Sequence, residues 1–308
     1  MKKPVLMLTA AVCAAGLLAA CAGLMRDGPR QVTLIHMGDV HGHLVPRPHL
    51  RSDGEGRMQG GLARMFTRIE EIRRAKPSHL LINTGDTIQG SAEAMYTRGQ
   101  ALVDVLNHFK IDVFAPGNWE FVYGTERFIE LFAGAGPKAP WTTIAANVYY
   151  DGEPYAAKHG ERVLPPYVIR SVGGVKVGIL GLTTDRGPQV VGRAVTKGFR
   201  FLKNGTEVDA EVKAMVAELR GKHAVDVVVL ASEMGMANNI RLAEAIPGID
   251  VVLSSDMHEI ATKPYVTKGG TLVIEEGQDG TVIGEITLTV EGGKVKNCRS
   301  RAVCAASS

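Results

Sequence analysis

Five apolar runs in this chain end in the same way, in a polar cluster that carries a metal-ligating type of side chain. That recurrence constrains the fold more than any single motif. Val32 to Ile35 leads to Asp39 and His41, His79 to Ile82 leads to Asp86, and Ile111 to Ala115 leads to Asn118. Later, Val225 to Ala231 leads to Glu233, and Ile249 to Leu253 leads to Asp256 and His258. Short runs of this kind, stopped by Gly, Pro or Asn, predict buried strands. Sheets of α/β type place ligands just beyond the carboxyl ends of their strands. A lone Asp or Asn after a strand is ordinarily a turn or N-cap residue. Five such clusters at five strand ends instead predict one shared edge, where carboxylates and imidazoles can hold divalent cations.

The segments between these runs are helical in pattern. Leu62, Met65, Phe66, Ile69 and Ile72 recur at three- and four-residue steps up to a stop at Pro77. Ala101 to Phe109, Thr125 to Phe132 and Glu207 to Lys222 also read as helices, and Gly173-Gly174 joins Tyr167 to Ser171 and Val175 to Leu180 as a hairpin. Further strands are predicted near Thr271 to Ile274 and Val282 to Val290. The class is therefore α/β (α+β). The 308 residues are 45% hydrophobic and 22% charged with a net charge of +3, a composition that builds one large core or a core with a small subdomain. The basic residues are scattered rather than gathered in a stripe with aromatics, so no nucleic-acid surface is predicted.

The first 21 residues read as an export signal. Lys2 and Lys3 precede an apolar stretch from Val5 to Leu18, and Leu18-Ala19-Ala20-Cys21 resembles a bacterial lipobox, with Cys21 as the lipidation site. The expected location is periplasmic, lipid-anchored to the outer membrane, because Ala22 rather than Asp follows the cysteine. Residues 22–30 would be a linker, 31–297 the folded domain and 298–308 a tail. With Cys13 removed and Cys21 acylated, Cys298 and Cys304 remain, either as a small disulfide loop or as two free thiols.

Asp39-x-His41, Gly85-Asp86, Gly117-Asn118-x-Glu120 and the late His258 resemble the metallophosphoesterase (calcineurin-like) signature in its 5′-nucleotidase branch. Thr97 to Gln100 together with Trp119 to Gly124 is most similar to the periplasmic thiosulfohydrolases of sulfur oxidation. The resemblance spans Val32 to Val295. It implies a four-layer αββα sandwich and two divalent ions, manganese first among Mg, Ca, Fe and Zn. The implied ligands are Asp39, His41, Asp86, Asn118, Glu233, Asp256 and His258, with Asp86 bridging. The implied reaction is hydrolysis of a small phosphoester by metal-activated water. Alternatives are hydrolysis of a sulfonate carried on a protein, and a non-catalytic metal- or ligand-binding role.

Two departures from that pattern carry chemistry. Glu233 and Asp256 stand where the family has histidines, which makes the second metal site richer in oxygen and suited to harder ions. Trp119 and Val122 stand where the nucleotidases have a histidine and its supporting aspartate, so a cation for the substrate must come from Arg98, Arg186 or His43. Asn118, Trp119, Glu120, Arg98 and His43 are accordingly the expected catalytic set. Glu275-Glu276 reads as a solvated edge and His36 as structural. The family's usual C-terminal nucleotidase domain is expected to be absent.

Overall fold

The structure is a computed structural model describing residues 28–48 and 54–305; the signal segment and Cys21 lie outside these residues. In chain order the elements that matter are β1 (Arg30–Met37), α1 (Leu62–Ala75), β2 (His79–Asn83), α2 (Ala92–Tyr96), α3 (Gln100–Asn107), β3 (Val113–Phe114) and β4 (Thr142–Thr143). Then come β5 (Tyr167–Val172), β6 (Val175–Leu182), α4 (Thr206–Gly221), β7 (Val227–Ser232), α5 (Met236–Ala245), β8 (Val251–Ser254), β9 (Tyr265–Val266), β10 (Leu272–Glu275), β11 (Val282–Glu291) and β12 (Lys294–Cys304).

They form two six-stranded sheets, ordered β12-β11-β1-β2-β3-β4 and β9-β10-β8-β7-β6-β5. In the first, β1 to β4 are parallel, and β11 and β12 complete the other side antiparallel. In the second, β6, β7, β8 and β10 are parallel, with antiparallel edges β5 and β9.

The period-two alternation of the strands explains the layering. Val32 and Leu34 of β1 face Val177, Ile179, Val229, Val251 and Leu253 across the seam between the sheets. Ile35 and Met37, one step out of phase, pack with Met65, Ile69 and Phe109 on the helical side. On β7 every residue is buried, because Val228 and Leu230 turn away from the seam and pack with Val212, Val216 and Leu242 of α4 and α5. The result is the expected helix, sheet, sheet, helix sandwich. Each buried Val, Leu or Ile contributes about 1.5–3 kcal/mol, so apolar contact is the main force holding the sheets together.

Three sequence expectations change, and the open alternative for the cysteine pair is decided in favour of free thiols. The predicted tail at 298–308 is strand as far as Cys304, paired with β11 from Lys294 onward. It offered no apolar run because much of β12 is exposed. Cys298 and Cys304 therefore sit six residues apart on one strand, about 20 Å at the usual rise. A disulfide needs Cα atoms within roughly 7 Å, and both thiols are free. The helix expected over Thr125 to Phe132 is one α turn, Thr125–Phe128, followed by a wider π turn, Ile129–Ala133. Glu275 and Glu276 are buried rather than solvated.

Candidate metal centre

β1 and β2 are parallel and end in register at Met37 and Asn83, so the loops that follow them leave side by side. Asp39 N–H donates to Gly85 O, His41 N–H to Asp86 O and Gly42 N–H to Thr87 O, at 2.9, 2.9 and 3.1 Å. This stitching holds Asp39, His41 and Asp86 at φ values of 49°, 46° and 49°. Across the seam Asp256 and His258 also have positive φ, 94° and 62°. Such a conformation costs a residue with a side chain on the order of 1 kcal/mol or more, and clusters of it are typical of functional sites.

The second sheet contributes from the same edge. β7 delivers Glu233, and β8 leads into the turn carrying Asp256 and His258. Ser255 fastens the two sheets together here: its hydroxyl donates to Thr84 O at 2.8 Å and contacts a Glu233 carboxylate oxygen.

Three acidic side chains and two imidazoles meet. Asp39 Oδ1 lies 3.9 Å from His41 Nε2 and 3.8 Å from His258 Nε2, and His41 Nε2 lies 3.6 Å from Asp86 Oδ2. The ligand atoms of Asp39, His41 and His258 all lie within 4.8 Å of one another, and so do those of Asp39, Asp86 and Glu233. Asn118 lies beside the second group, its side-chain amide N–H donating to the two Asp86 oxygens at 3.4 and 3.2 Å. Two buried polar atoms, His41 Nε2 and Glu233 Oε1, have no hydrogen-bond partner. Leaving such atoms unpaired costs about 1–3 kcal/mol each. Both belong to the potential ligand groups, where a cation would satisfy them.

The electrostatics agree. Burial, then repulsion from Asp86, holds the Asp39 carboxyl well above the usual range; Glu233 is raised by burial, then by Asp86, Asp39 and Asp256. Burial opposes charge on His41, but its hydrogen bond with Asp279 and the neighbouring Asp86 and Asp39 outweigh that and push its pKa up to about 10. Without a cation, then, the cluster holds protons instead.

The seven expected ligands are not all gathered. Asp256 is in neither group: a carboxylate oxygen is paired with the Arg186 guanidinium, and its backbone N–H donates to Asp39. Burial raises the Asp256 pKa to about 6 against the lowering effect of Arg186, with Asp86 adding to the rise.

The expected catalytic set is also redistributed. Glu120 does not face a substrate. It is 1% exposed, and its two oxygens accept N–H bonds from Asp86, Thr87, Ile88 and Gly117 at 2.9, 2.7, 3.3 and 2.6 Å. Burial, then the charge of Asp86, raises its pKa to about 7. Arg98 is drawn elsewhere, donating to Tyr123 O at 2.7 Å. His43 has its Nδ1 within 3.1 Å of Val40 O, 3.0 Å of His41 O and 3.4 Å of Asp279 Oδ1, so it braces its own loop. Trp119 contributes through its backbone, donating N–H to Asp86 Oδ1 at 2.9 Å. His36 is buried and bonded to Thr84 Oγ1 at 2.9 Å, as a structural residue should be.

Asp279 was missed in the sequence. Its Oδ1 lies 3.2 Å from His41 Nδ1, which orients the imidazole so that Nε2 faces the carboxylates. The surrounding Gly277-Gln278-Asp279-Gly280 reads as an ordinary turn, so only proximity in space exposes the role.

The sequence profile described as calcineurin-like phosphoesterase matches residues 32–259. The chain is 31% identical to a probable 5′-nucleotidase of Treponema pallidum over 271 residues, covering 86% of this chain and 43% of that protein. It is 30% identical to the human 5′-nucleotidase, covering 73% of this chain and 38% of that one. Among solved structures it is similar to a 5′-nucleotidase precursor from Thermus thermophilus, with TM-score 0.76 and 25% identity, over 89% of this chain and 54% of that one. The sulfate thiohydrolase SoxB of Thermus thermophilus shares the fold, with TM-score 0.77 and 22% identity, over 89% of this chain and 56% of that one. The chain thus spans about half the length of these proteins or less.

Proposed function

The chain belongs to the calcineurin-like phosphoesterase family, and on that premise we propose that it is a divalent-metal-dependent hydrolase of phosphoesters, nucleotide-like in class. The observation that carries this reading is the pair of buried, unpartnered atoms, His41 Nε2 and Glu233 Oε1, in potential ligand groups that share Asp39. The donor set fits two ions. Asp39, His41 and His258 would hold one; Asp86, Glu233 and Asn118 would hold the other, with Asp39 and Asp86 near both. Its oxygen content favours Mn²⁺ or Mg²⁺, particularly for the second ion. When bound, such ions act as Lewis acids and make water nucleophilic near neutral pH.

The protein's own groups do the rest. Asp279 orients His41, and Glu120 collects the amides of the Asp86 and Gly117 loops into one fixed arrangement. Together they pre-position the ligands, so little reorganisation is needed when substrate arrives. We further propose that the protein works in the periplasm, anchored through Cys21; the Leu18 to Cys21 lipobox supports this.

A second reading, hydrolysis of a sulfonate carried on a protein, is favoured by the Trp119 to Gly124 stretch. The test is to measure the metal content of purified protein and then assay the manganese-loaded form on AMP, p-nitrophenyl phosphate and a thiosulfonate-charged carrier protein. Turnover of the first two and not the third supports the phosphoesterase reading, and the converse supports the second. Metal-loaded protein that turns over none of them would refute both.

A further inference from the structure

Arg186 lies four residues beyond the end of β6, at the metal-bearing edge. Its backbone is fixed at the start of a short helical turn: its N–H donates to Thr184 Oγ1 at 3.1 Å, and its carbonyl accepts from Gln189 and Val190 at 2.9 and 3.0 Å. From there the side chain reaches across to Asp256. The partners are unequally exposed: the Asp256 side chain is 7% accessible and that of Arg186 is 50%. One edge of the guanidinium is therefore held against Asp256, next to the ligand groups, while half of the side chain is open to solvent. A guanidinium has five N–H donors, and here only one Nη is engaged, by a single carboxylate oxygen.

Charge balance gives this placement its meaning. Asp39, Asp86 and Glu233 of the ligand groups, with the neighbouring Asp256 carboxylate, carry as much negative charge as two divalent ions carry positive, so without a further cation an approaching anion would meet no net positive charge there. The other candidates for a cation are committed elsewhere, Arg98 to Tyr123 O and His43 to its own loop. Arg186 is a permanent cation already seated on the carboxylate that the metal groups leave out. Planar guanidinium forks match tetrahedral oxyanions, binding two oxygens at once.

We propose that Arg186 is the anion-recognising residue of this site: Asp256 holds one side of its guanidinium, and the free N–H groups bind non-bridging oxygens of the phosphoryl group of the substrate. The proposal rests on the hydrolase reading above and gives it a specificity determinant. Asp256 is accordingly a positioning residue for Arg186.

The experiment uses the manganese-loaded full-length protein and its R186A and R186K variants. Metal stoichiometry, the binding of inorganic phosphate by calorimetry, and KM and kcat on p-nitrophenyl phosphate are measured for each. Expected for R186A is unchanged metal content, phosphate affinity lower by about 10- to 100-fold, as for loss of a charge-assisted hydrogen-bonded pair, and KM raised by a similar factor with a smaller change in kcat. R186K should fall between, since an ammonium keeps the charge but not the fork. Asp256→Asn should weaken phosphate binding less than R186A does. Phosphate affinity in R186A equal to that of the parent would overturn the proposal, as would loss of metal in both Arg186 variants or a parent that binds no phosphate. If the parent binds phosphate but hydrolyses nothing, the hydrolase reading fails while the binding arm still decides the role of Arg186.

Discussion

At the scale of single residues, motif membership does not predict the job a carboxylate does. Asp279 has no motif credentials, yet its carboxylate holds His41 from the ring nitrogen that would face away from an ion. Partners of this kind fix ring orientation and raise ligand basicity, and losing one typically costs 10–100-fold in metal affinity. Asp279→Asn should therefore bind manganese about 10- to 100-fold more weakly in a chelator competition titration, with the fold intact by circular dichroism. Parent-like affinity would show that the loop alone orients His41. Glu120 is the reverse case: the Gly117-Asn118-x-Glu120 motif marks it, but four backbone N–H groups consume its carboxylate. Glu120→Ala strands those donors in a dry interior and should lower stability by about 3 kcal/mol in urea unfolding. A loss of activity without loss of stability would restore Glu120 to a substrate-facing role. A sequence motif says which side chains accompany a site; it does not say which way a carboxylate points, and that is why Glu120 was expected at the substrate and Asp279 was missed.

At the scale of elements, the strand ends were legible and the approach between loops was not. Apolar runs with a polar stop disclose a buried strand and where it ends, and all five predicted ends fall at the one edge. The close contact of the β2 and β3 loops, by contrast, depends on two glycines whose need for space shows only in three dimensions. A Cβ on Gly117 would lie 2.3 Å from Asp86 Oδ1 and 2.7 Å from Glu233 Oε1, and a Cβ on Gly85, at φ 104°, would lie 2.2 Å from Gly117 N. Gly117 is therefore where two carboxylates from different sheets are allowed to converge. Gly117→Ala should drive them apart while leaving β3 and the seam intact. The expected result is a drop in bound metal from two ions toward one by elemental analysis, with little change in far-ultraviolet circular dichroism. Retention of two ions would show that the second group is not the one built from Asp86 and Glu233. The pairing of β1 with β11 was equally hidden, since Arg30 meets Val290 across most of the chain and nothing local announces the partner.

At the scale of the whole molecule, the metal centre sets how stability responds to pH. In the metal-free protein the raised carboxyls Asp39, Glu233, Glu120 (about 7) and Asp256 (about 6) all hold protons that the unfolded chain has released. Raised carboxyls destabilise as pH climbs from about 4 toward their folded values, and His41, raised to about 10, keeps a proton that the unfolded chain gives up near 6.5, so its stabilising effect declines from about 6.5 toward about 10. The signs agree, so chelator-treated protein should melt at lower temperature at pH 8 than at pH 5. The rise in melting temperature on adding manganese should be larger at pH 8, because the cation takes the place of those protons. A metal-free melting temperature that climbs over this interval would contradict the cluster's electrostatics. The seam itself has a mechanical consequence. Asp39, His41 and Asp86 follow strands of one sheet, while Glu233 and His258 follow strands of the other, so an ion held by them would be a rivet between two plates that otherwise adhere by oily contact. Pulling the plates apart at that edge would load the coordination bonds directly. Pulling the opposite edge would peel apolar surface first. The rupture force of this domain should therefore depend on the direction of pull, and only one direction should be sensitive to chelator.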